Sequence, residues 1–314
     1  MSALDPRRVV IGAPAHATFA AALRAARPEL EIRHATVAEI TSDDLAWGDA
    51  YLGFKRPPLP TMGNIRWVHC SGAGVDAWLY PVELPKEILL TKTSESFGPM
   101  IAEWALARAL AFCQDIIALA SEQRQKEWRA RDPRLIRGTT AVVVGTGDVG
   151  SHVARAFAAM GCRIVGVSRT GRGDPSVFSK VARVDALRET VAEADWLVLM
   201  LPLTASTDGL VTREILSACR GATLINAGRG AVVDEAAIPE ALDTGWLHGA
   251  ALDVFRVEPL PQSSPLWNDP RVMISPHNSG PTTVSATITG FVQTLDEILR
   301  SETPTWAVDR GRQY

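Results

Sequence analysis

The segment TTAVVVGTGDVGSHVARAFAAMG most constrains the fold, because an apolar run in it passes directly into a glycine-rich loop. Gly145, Gly147 and Gly150 follow the apolar run and open a helix-length stretch. In such a loop the first glycine permits a tight turn, the second lets the backbone approach a pyrophosphate, and the third lets helix and strand pack closely. Unpaired N–H groups at the helix start then face the phosphates. The spacing predicts a dinucleotide site at a strand end; a purely structural glycine turn is the alternative.

The rest of the chain alternates short β-branched runs with helix-length amphipathic segments, which is typical of parallel sheets covered by helices. The predicted strands lie at 8–11, 31–35, 50–54, 67–70, 88–92, 140–145, 163–168, 196–201, 222–227, 249–254 and 272–276. A length of 314 residues with 46% hydrophobic residues is enough for two cores. The predicted class is therefore α/β with two doubly wound parallel sheets.

The two sheets are assigned to two domains. The last six predicted strands match a complete Rossmann dinucleotide-binding sheet, which we assign to residues 99–283. The first five form a smaller, flavodoxin-like substrate domain, residues 1–98, and we expect residues 284–314 to pack back onto it. One long helix is predicted from Phe97 to about Trp128, and its apolar residues are too continuous for a single buried stripe. This excess indicates contact with a partner as well as with the core.

Composition narrows the classes of function. The net charge is −3 and no run of like charges occurs, so neither a nucleic acid nor a membrane is an expected partner. The four cysteines form no CxxC pair and the histidines show no metal-ligand spacing, so we expect reduced thiols and no metal. Only a short apolar run follows Arg7 and Arg8, without a cleavage pattern. We expect a cytoplasmic protein that acts on a small molecule.

The choice of cofactor is indicated by the end of the second strand after the glycine loop. NAD sites usually place an acidic residue there, whereas this strand ends in Ser168, Arg169 and Thr170, with Arg172 close behind. Hydroxyls and a guanidinium can bind a 2′-phosphate that a carboxylate would repel. NADPH is therefore favoured over NADH, with ordinary polar loop residues as the alternative. Within the loop itself, Thr146, Asp148 and Val149 complete the predicted cofactor segment, although the charge of Asp148 would oppose a pyrophosphate.

Three charged residues follow three successive strands of the second sheet. Arg229 lies in NAGRG, Glu258 in LDVFRVEP and His277 in SPHNSG. Open α/β sheets bind ligands at the carboxyl ends of their strands, so these side chains are expected to meet. An arginine suits a substrate carboxylate, a histidine can protonate a keto oxygen, and a carboxylate bonded to that histidine favours its charged form. Singly, each residue could be a surface or loop residue; together they predict reduction of a 2-keto acid.

A second candidate substrate segment precedes the long helix. HCSGAGVDAWL places Gly72, Ala73 and Gly74 between a strand and a short helix, where small residues expose backbone N–H groups. Such groups can bind the far oxygen of a carboxylate. A plain glycine turn is an equally good interpretation of this stretch.

Six motifs occur in an order that resembles the D-isomer-specific 2-hydroxyacid dehydrogenases: GTGDVG, LPLTAST, NAGRG, LDVFRVEPLP, SPLWNDPRV and SPH. Within that family GAGVD, VSRT, PLPQSSPLW and VDRGRQY are most similar to the glyoxylate/hydroxypyruvate reductase A group. The resemblance covers most of the chain. It implies that Arg229 binds substrate and is catalytic, that His277 donates the proton, and that Glu258 is the partner of His277.

The resemblance also implies further positions and a partner. Leu201, Pro202, Thr207 and Ala227 would line the cofactor, Asp253 would meet the nicotinamide carboxamide, and the backbone at Ala73 and Gly74 would take the substrate carboxylate. A homodimer built around the long helix is implied as well. The segments HNSGPT and TSESFGPMIAEW depart from the reductase group, so a bulkier 2-keto acid stays open beside glyoxylate or hydroxypyruvate. Three further hypotheses are an NADH-dependent dehydrogenase of another 2-hydroxy acid, a cofactor-sensing protein of the same fold, and an enzyme that acts on formate-like or phosphite-like donors.

Overall fold

The computed structural model describes residues 4–80, 82–93 and 97–313, and in it the chain divides into two compact units. The first unit comprises the described residues of 1–96 and 282–314, and the second comprises 97–281. Each boundary lies two residues before the one expected from the sequence. Each unit is built on a sheet whose strands are all parallel. The predicted fold class, two parallel-sheet α/β units, is confirmed.

The first unit has the strand order β2-β1-β3-β4-β5, which is the flavodoxin-like order. Its strands are β1 (Arg8–Gly12), β2 (Glu31–Ala35), β3 (Ala50–Leu52), β4 (Trp67–Cys70) and β5 (Leu89–Lys92), and its helices are α1 (His16–Ala26), α2 (Ser42–Trp47), α3 (Asp76–Leu79) and α10 (Val284–Leu299). Leu23 of α1 and Phe291 of α10 are fully buried against one face of the sheet. Leu45 and Trp78 pack against the other face.

The chain after α10 runs antiparallel along β5. The Lys92 N–H donates to the Trp306 carbonyl at 3.1 Å, and the Val308 N–H donates to the Leu90 carbonyl at 2.9 Å. Arg310 then donates to the carbonyl oxygens of Leu84, Pro85 and Ile88. The tail therefore covers the β5 edge of the first sheet by main-chain hydrogen bonds.

A fully buried histidine lies in this first core. His69 Nδ1 is 2.8 Å from the Thr91 hydroxyl and Nε2 is 3.1 Å from the Thr93 hydroxyl, while the Trp67 indole N–H donates to Thr91 at 2.9 Å. Burial lowers the pKa of His69 to about 3, because the charged ring would lose its hydration. His69 is thus a neutral core residue whose two nitrogens are both bonded.

The second unit has the strand order β12-β11-β10-β9-β6-β7-β8, in which the chain winds outward in both directions from β6. Its strands are β6 (Thr140–Val144), β7 (Arg163–Ser168), β8 (Lys180–Arg183), β9 (Trp196–Leu199), β10 (Ala222–Asn226), β11 (Leu247–Leu252) and β12 (Val272–Ile274). Its helices are α4 (Phe97–Cys113), α5 (Ile116–Gln125), α6 (Asp148–Ala159), α7 (Leu187–Val191), α8 (Arg213–Leu216) and α9 (Ile238–Asp243), with short 3₁₀ turns at Val184–Ala186, Gly230–Val232, Glu235–Ala237 and Pro265–Asn268. The edge strand β8 was missing from the prediction.

The single long helix predicted from Phe97 to about Trp128 is wrong. The structure has two helices, α4 and α5, whose axes are bent by 58°. Asp115 at the break has φ +50°, so the helical path cannot continue through it. In the described part of the chain no single helix is long and apolar enough to cross a bilayer, and only this bent pair reaches that length and composition together.

Candidate active site

The carboxyl ends of five neighbouring strands carry the predicted functional residues of the second unit. Strands β6, β9, β10, β11 and β12 lie side by side in that order. The glycine loop follows β6, and the loops with Thr207, Arg229, Glu258 and His277 follow the next four strands in turn. Because parallel strands bring these ends to one edge, the sheet itself gathers the candidate residues.

The glycine loop has the backbone that its sequence predicts. Gly145 has φ +105°, and a Cβ there would overlap the Met200 carbonyl, while a Cβ at Gly150 would overlap the Gly145 carbonyl. Gly147, by contrast, caps α6 and would have no atom within 4 Å of an added Cβ. The protein therefore needs glycine at the two outer positions for its own packing, but leaves open space at Gly147. That open space fits a pyrophosphate against the start of α6.

The side chains of the loop separate into two groups. Thr146 donates its hydroxyl to the Arg172 carbonyl at 2.6 Å, so it joins this loop to the turn after β7. Asp148 lies in the first turn of α6 with its side chain 56% exposed and 3.5 Å from His152 Nδ1. Val149 is half-buried. The charge of Asp148 is therefore directed along the outside of α6 and toward His152.

The turn after β7 holds the predicted 2′-phosphate residues. Ser168 donates its hydroxyl to the Arg172 carbonyl at 3.0 Å and accepts the Arg172 N–H at 3.1 Å. Ser168 therefore stabilises the turn by internal hydrogen bonds, and its expected role as a phosphate donor stays a prediction. Arg169, Thr170 and Arg172 are exposed around this turn. In the described residues of the turn no carboxylate takes the place that an NAD-specific site gives to one.

The loop after β9 is closed by its own hydroxyl groups. Thr207 donates to the Pro202 carbonyl at 2.6 Å, and the Thr204 N–H donates to the Thr207 hydroxyl at 2.8 Å. Leu201 and Pro202 are half-buried at the start of the loop, and Ala227 is buried after the neighbouring strand β10. These residues follow the neighbouring strands β9 and β10, and their contact with a cofactor stays a prediction.

The Arg229 loop is fixed by a buried asparagine at the end of β10. Asn226 is fully buried; its amide donates to the Arg229 carbonyl at 3.1 Å and its oxygen accepts the Gly228 N–H at 3.1 Å. A Cβ at Gly228 would lie 2.7 Å from the Leu201 carbonyl oxygen, and a Cβ at Gly230 would overlap the Phe255 backbone. The sequence NAGRG is thus explained by tight packing on both sides. Arg229 itself is half-buried in an extended conformation, and its Nη1 donates to the Gly228 carbonyl at 2.8 Å.

His277 and Glu258 form a hydrogen-bonded pair at the ends of β12 and β11. The distance from His277 Nδ1 to Glu258 Oε2 is 2.8 Å, and the side chains are 37% and 36% exposed. The other Glu258 oxygen accepts the Phe255 N–H at 3.0 Å. Nδ1 of the imidazole is engaged by the carboxylate, which leaves Nε2 as the nitrogen for a substrate.

The environment of Glu258 keeps it charged. Burial alone would raise the pKa of this carboxyl, but hydrogen bonds from His277 and the Phe255 N–H, together with the positive charge of Arg229, hold its pKa below the usual value. Arg229 therefore lies near enough to act electrostatically on Glu258. His277 has φ +53°, a left-handed conformation that is uncommon for residues other than glycine and that occurs often at functional sites.

Asp253 organises the loop that carries His277. It is fully buried; one oxygen accepts the Ser275 hydroxyl at 2.5 Å and the Asn278 N–H at 3.0 Å, and the other accepts the Ser279 N–H at 2.8 Å. Its own carbonyl accepts the His277 N–H at 2.8 Å. The predicted contact of Asp253 with a nicotinamide carboxamide stays a prediction, beside this observed role inside the protein.

Sequence reasoning missed three residues that support the site, namely Asn226, Ser275 and Trp104. Trp104 of α4 donates its indole N–H to the Ser275 hydroxyl at 3.1 Å, and so continues the chain of bonds from Asp253. A polar residue at the end of an otherwise apolar strand was the available signal for Asn226 and Ser275. Nothing in the sequence near Trp104 pointed to a partner 171 residues away.

The predicted substrate loop of the first unit follows β4. Gly72 is buried, and a Cβ there would lie 2.7 Å from the Phe54 ring. Ala73 and Gly74 are half-buried, and the Gly74 carbonyl accepts a hydrogen bond from the Cys70 thiol at 3.3 Å. Of the TSESFGPMIAEW segment, residues 94–96 lie outside the described residues. Carboxylate binding by this loop stays a prediction.

The described residues contain no group of three or more His, Cys, Asp or Glu side chains that could hold a metal ion. All four cysteines are buried thiols that form no disulfide bond. Burial raises the pKa of the Cys219 thiol to about 12, so this thiol is un-ionised at neutral pH.

Comparison with known sequences gives a family match over the second unit. Residues 106–279 match the model for the NAD-binding domain of D-isomer-specific 2-hydroxyacid dehydrogenases. Over 308 residues the chain is 34% identical to glyoxylate/hydroxypyruvate reductase A of Salmonella heidelberg, covering 95% of this chain and 98% of that protein.

Solved structures show the same fold. A D-isomer-specific 2-hydroxyacid dehydrogenase of Xanthobacter autotrophicus Py2, in complex with NADPH and MES, superposes with a TM-score of 0.86 at 32% identity, covering 98% of this chain and 100% of that one. The NADPH-dependent glyoxylate/hydroxypyruvate reductase of Sinorhizobium meliloti, in complex with NADP and sulfate, gives a TM-score of 0.87 at 27% identity, covering 98% and 99%.

Proposed function

Because this chain belongs to the D-isomer-specific 2-hydroxyacid dehydrogenases, we propose that it reduces a small 2-keto acid to the D-2-hydroxy acid with NADPH. Glyoxylate and hydroxypyruvate are the proposed substrates, as in the relatives of that name. The observation that supports this most is the His277–Glu258 pair, 2.8 Å apart, with the positive charge of Arg229 acting on Glu258.

The roles follow from the chemistry of a keto acid. When bound, NADPH supplies a hydride to the keto carbon. Arg229 binds the substrate carboxylate and polarises the keto oxygen, because a guanidinium can donate to both groups. Its main chain is held by Asn226 and by flanking glycines that fit only against neighbouring backbone, so the charge is presented from a rigid loop.

His277 completes the reaction as the acid. Its Nε2 gives a proton to the oxygen that becomes negative as the keto carbon is reduced, and the product hydroxyl forms. The neutral imidazole that remains keeps its Nδ1–H bonded to Glu258, whose low pKa keeps it an anion throughout. Glu258 therefore fixes the tautomer and the orientation of the His277 ring, so that Nε2 faces the substrate.

The cofactor is proposed to lie across the carboxyl ends of the strands from β7 to β11. Its pyrophosphate fits the open space at Gly147, and Arg169, with Thr170 and Arg172, would bind the 2′-phosphate. Substitution of Arg169 by Ala should raise the KM for NADPH by about ten-fold and leave the KM for NADH within about two-fold, since only NADPH carries the charge that Arg169 binds.

The direct test is oxidation of NADPH followed at 340 nm with a panel of 2-keto acids, NADH in parallel, and chiral analysis of the hydroxy acid. Arg229→Lys and His277→Gln should each lower kcat/KM by at least about 100-fold, because each removes a group needed in the transition state. Arg213→Met is the matched control, as it removes an exposed ion pair with Glu240. If the protein binds NADPH but turns over none of the acids, the proposed enzymatic function is contradicted and a cofactor-sensing function is favoured. A preference for NADH would contradict only the proposed choice of NADPH as the cofactor.

We also propose that the protein is a homodimer, through α5 and the segment after it. None of the residues of α5 is buried, and Ile116, Leu119 and Trp128 are 52%, 42% and 98% exposed. Such a group of large apolar side chains is costly to leave in water. The cytoplasmic location expected from the sequence stays a prediction beside it.

The dimer can be tested by sedimentation equilibrium. Leu119→Glu combined with Trp128→Ala should give a monomer, whereas Trp267→Ala, at a residue 49% exposed elsewhere in the same unit, should leave the mass unchanged. A monomeric wild-type protein at micromolar concentration would contradict the proposal.

A further inference from the structure

We infer that Arg256 is a positioning residue that joins the three loops following β9, β10 and β11. These loops carry Thr207, Arg229 and Glu258, to which sequence reasoning gave cofactor, substrate and proton-transfer roles. Nothing in the sequence gave Arg256 itself a role. The inference rests on the proposed function, because positioning matters only if these loops bind and react.

The guanidinium of Arg256 reaches two other loops at once. Its Nη2 donates to Asp208 Oδ1 at 3.0 Å and to the Ala231 carbonyl at 3.0 Å. Asp208 follows Thr207 directly, and Ala231 lies two residues after Arg229. One side-chain nitrogen therefore connects the cofactor loop and the substrate loop to the loop of Glu258.

The backbone around Arg256 is held by carboxylates. The Arg256 N–H donates to Glu235 Oε2 at 2.9 Å, and the preceding N–H, that of Phe255, donates to Glu258 Oε1 at 3.0 Å. Two consecutive amides are thus fixed by two acidic side chains, one of them the partner of His277. A shift of the backbone at Arg256 would carry the Phe255 N–H with it and change the orientation of Glu258.

The same carbonyl that Arg256 binds also joins the other two loops. Ala231 O accepts the Gly209 N–H at 2.8 Å, so the β9 and β10 loops already touch where the guanidinium arrives. A carbonyl oxygen has two lone pairs, and here both have a donor. Arg256 therefore adds a third loop to an existing main-chain contact.

The Arg256–Asp208 ion pair is partly exposed to solvent, so it should contribute little to overall stability. The side chain of Arg256 is 49% exposed and that of Asp208 is 28% exposed. Ion pairs at such surfaces contribute little to folding, because water competes and side-chain freedom is lost. Loss of Arg256 should therefore change the geometry of the site far more than the melting temperature, and this contrast separates positioning from a structural role.

Arginine is suited to the position because Nη2 carries two N–H groups in a fixed plane. Lysine offers a compact ammonium on a flexible stem, which can keep the charge pair with Asp208 but holds two acceptors less rigidly. Arg256→Lys should restore part of what Arg256→Met loses. Asp208→Asn removes the charge partner from the other side and should resemble Arg256→Met.

The experiment compares Arg256→Met, Arg256→Lys and Asp208→Asn with the wild-type enzyme. The control is Arg163→Met, because the Arg163–Glu193 pair is 2.8 Å long and Arg163 is 48% exposed, but Arg163 begins β7 at the opposite end of the strands. kcat and KM for glyoxylate, the dissociation constant for NADPH, and amide hydrogen exchange of residues 207–211, 229–233 and 255–259 are measured for each.

Arg256→Met should lower kcat by about ten-fold, because small misplacements of reacting groups are costly. The KM for glyoxylate should rise, and the dissociation constant for NADPH should change less than kcat does, because the glycine loop proposed to hold the pyrophosphate is shaped by its own close packing. All three segments should exchange faster, by about ten-fold, with the melting temperature within about 3 °C of wild type. The double variant with Asp208→Asn should be no worse than the more affected single variant, since both remove the same link.

Two results would overturn the inference. One is a kcat within about two-fold of wild type in Arg256→Met; the other is unchanged exchange in the three segments. If Arg256→Met does not fold, Asp208→Asn decides by the same criteria. A wild-type protein without reductase activity would contradict the proposed function instead, and hydrogen exchange would still test the link between the loops.

Discussion

Gly230 and Phe255 meet backbone to backbone: a Cβ added at Gly230 would overlap the carbonyl carbon, the Cα and the carbonyl oxygen of Phe255. Gly230 follows Arg229, and the Phe255 N–H binds Glu258. Main-chain atoms cannot move aside as the end of a flexible side chain can. The loop of Arg229 and the loop of Glu258 can therefore approach this closely only because Gly230 has no side chain.

Substitution of Gly230 by Ala should force these two loops apart. We expect kcat/KM for the keto acid to fall by about 100-fold, because separation of the reacting groups by even about 1 Å is costly. Steady-state kinetics measures this, with Gly245→Ala as the control. Gly245 has φ +75°, but an added Cβ there meets nothing within 4 Å. Equal kinetics in the two variants would contradict the explanation.

Gly147 should behave in the opposite way to its neighbour Gly150. Because a Cβ at Gly147 meets no protein atom, Gly147→Ala should melt close to wild type yet bind NADPH about ten-fold more weakly. Gly150→Ala should lower the melting temperature, since its Cβ would overlap the Gly145 carbonyl. Fluorescence titration and thermal melting give the two quantities. Unweakened binding by Gly147→Ala would argue against a pyrophosphate at this position.

Asp253→Asn should disturb the His277 loop. The carboxylate accepts three donors, and an amide group would turn N–H toward at least one of them. We expect a loss of about 1–3 kcal/mol in the free energy of unfolding, as for a buried donor left unsatisfied, together with a lower kcat. Urea unfolding and kinetics measure the two effects. Trp104→Phe, which removes only the outermost bond of the chain, should give the same effects at smaller size.

His69 makes a separate prediction about acid stability. Its folded pKa of about 3 lies below the ordinary value of 6.5, so between these pH values the unfolded chain binds a proton that the folded chain does not. Stability should be complete above pH 6.5 and fall as the pH drops toward 3, by up to about 1.4 kcal/mol per pH unit. His69→Gln should be less stable at neutral pH but lack this part of the slope. Urea unfolding between about pH 4 and 7 tests it; parallel slopes for both proteins would count against the assignment.

Most of the strand positions could be predicted because apolar runs and the glycines that end them are local features of the sequence. β2, β4 and β7 have the predicted bounds, and Arg229, Glu258 and His277 follow three adjacent strands as expected. Strand β8 was not predicted because only Ala182 of its four residues is buried, which leaves no alternation of apolar and polar residues in this edge strand. The break between α4 and α5 at Asp115 was not predicted because the apolar residues continue past it and no glycine or proline lies there.

The supporting contacts of the site could not be predicted, since they join distant parts of the chain. Trp104 meets Ser275, and Arg256 meets Asp208, through bonds that depend on which strands are neighbours. The sequence indicates which residue types can carry out the chemistry. Their orientation depends on packing that no local pattern records, and the roles of the individual residues stay predictions for the experiments above.

The antiparallel tail has a practical consequence for handling this protein. A sheet edge with unpaired N–H and C=O groups is a template on which another chain can add a strand. Residues 306–308 occupy that template on β5, with Lys92 and Leu90 as the bonded positions. Proteolytic cleavage just after α10 would uncover the β5 edge without cutting the second unit, so aggregation during storage should be traced first to loss of the last residues.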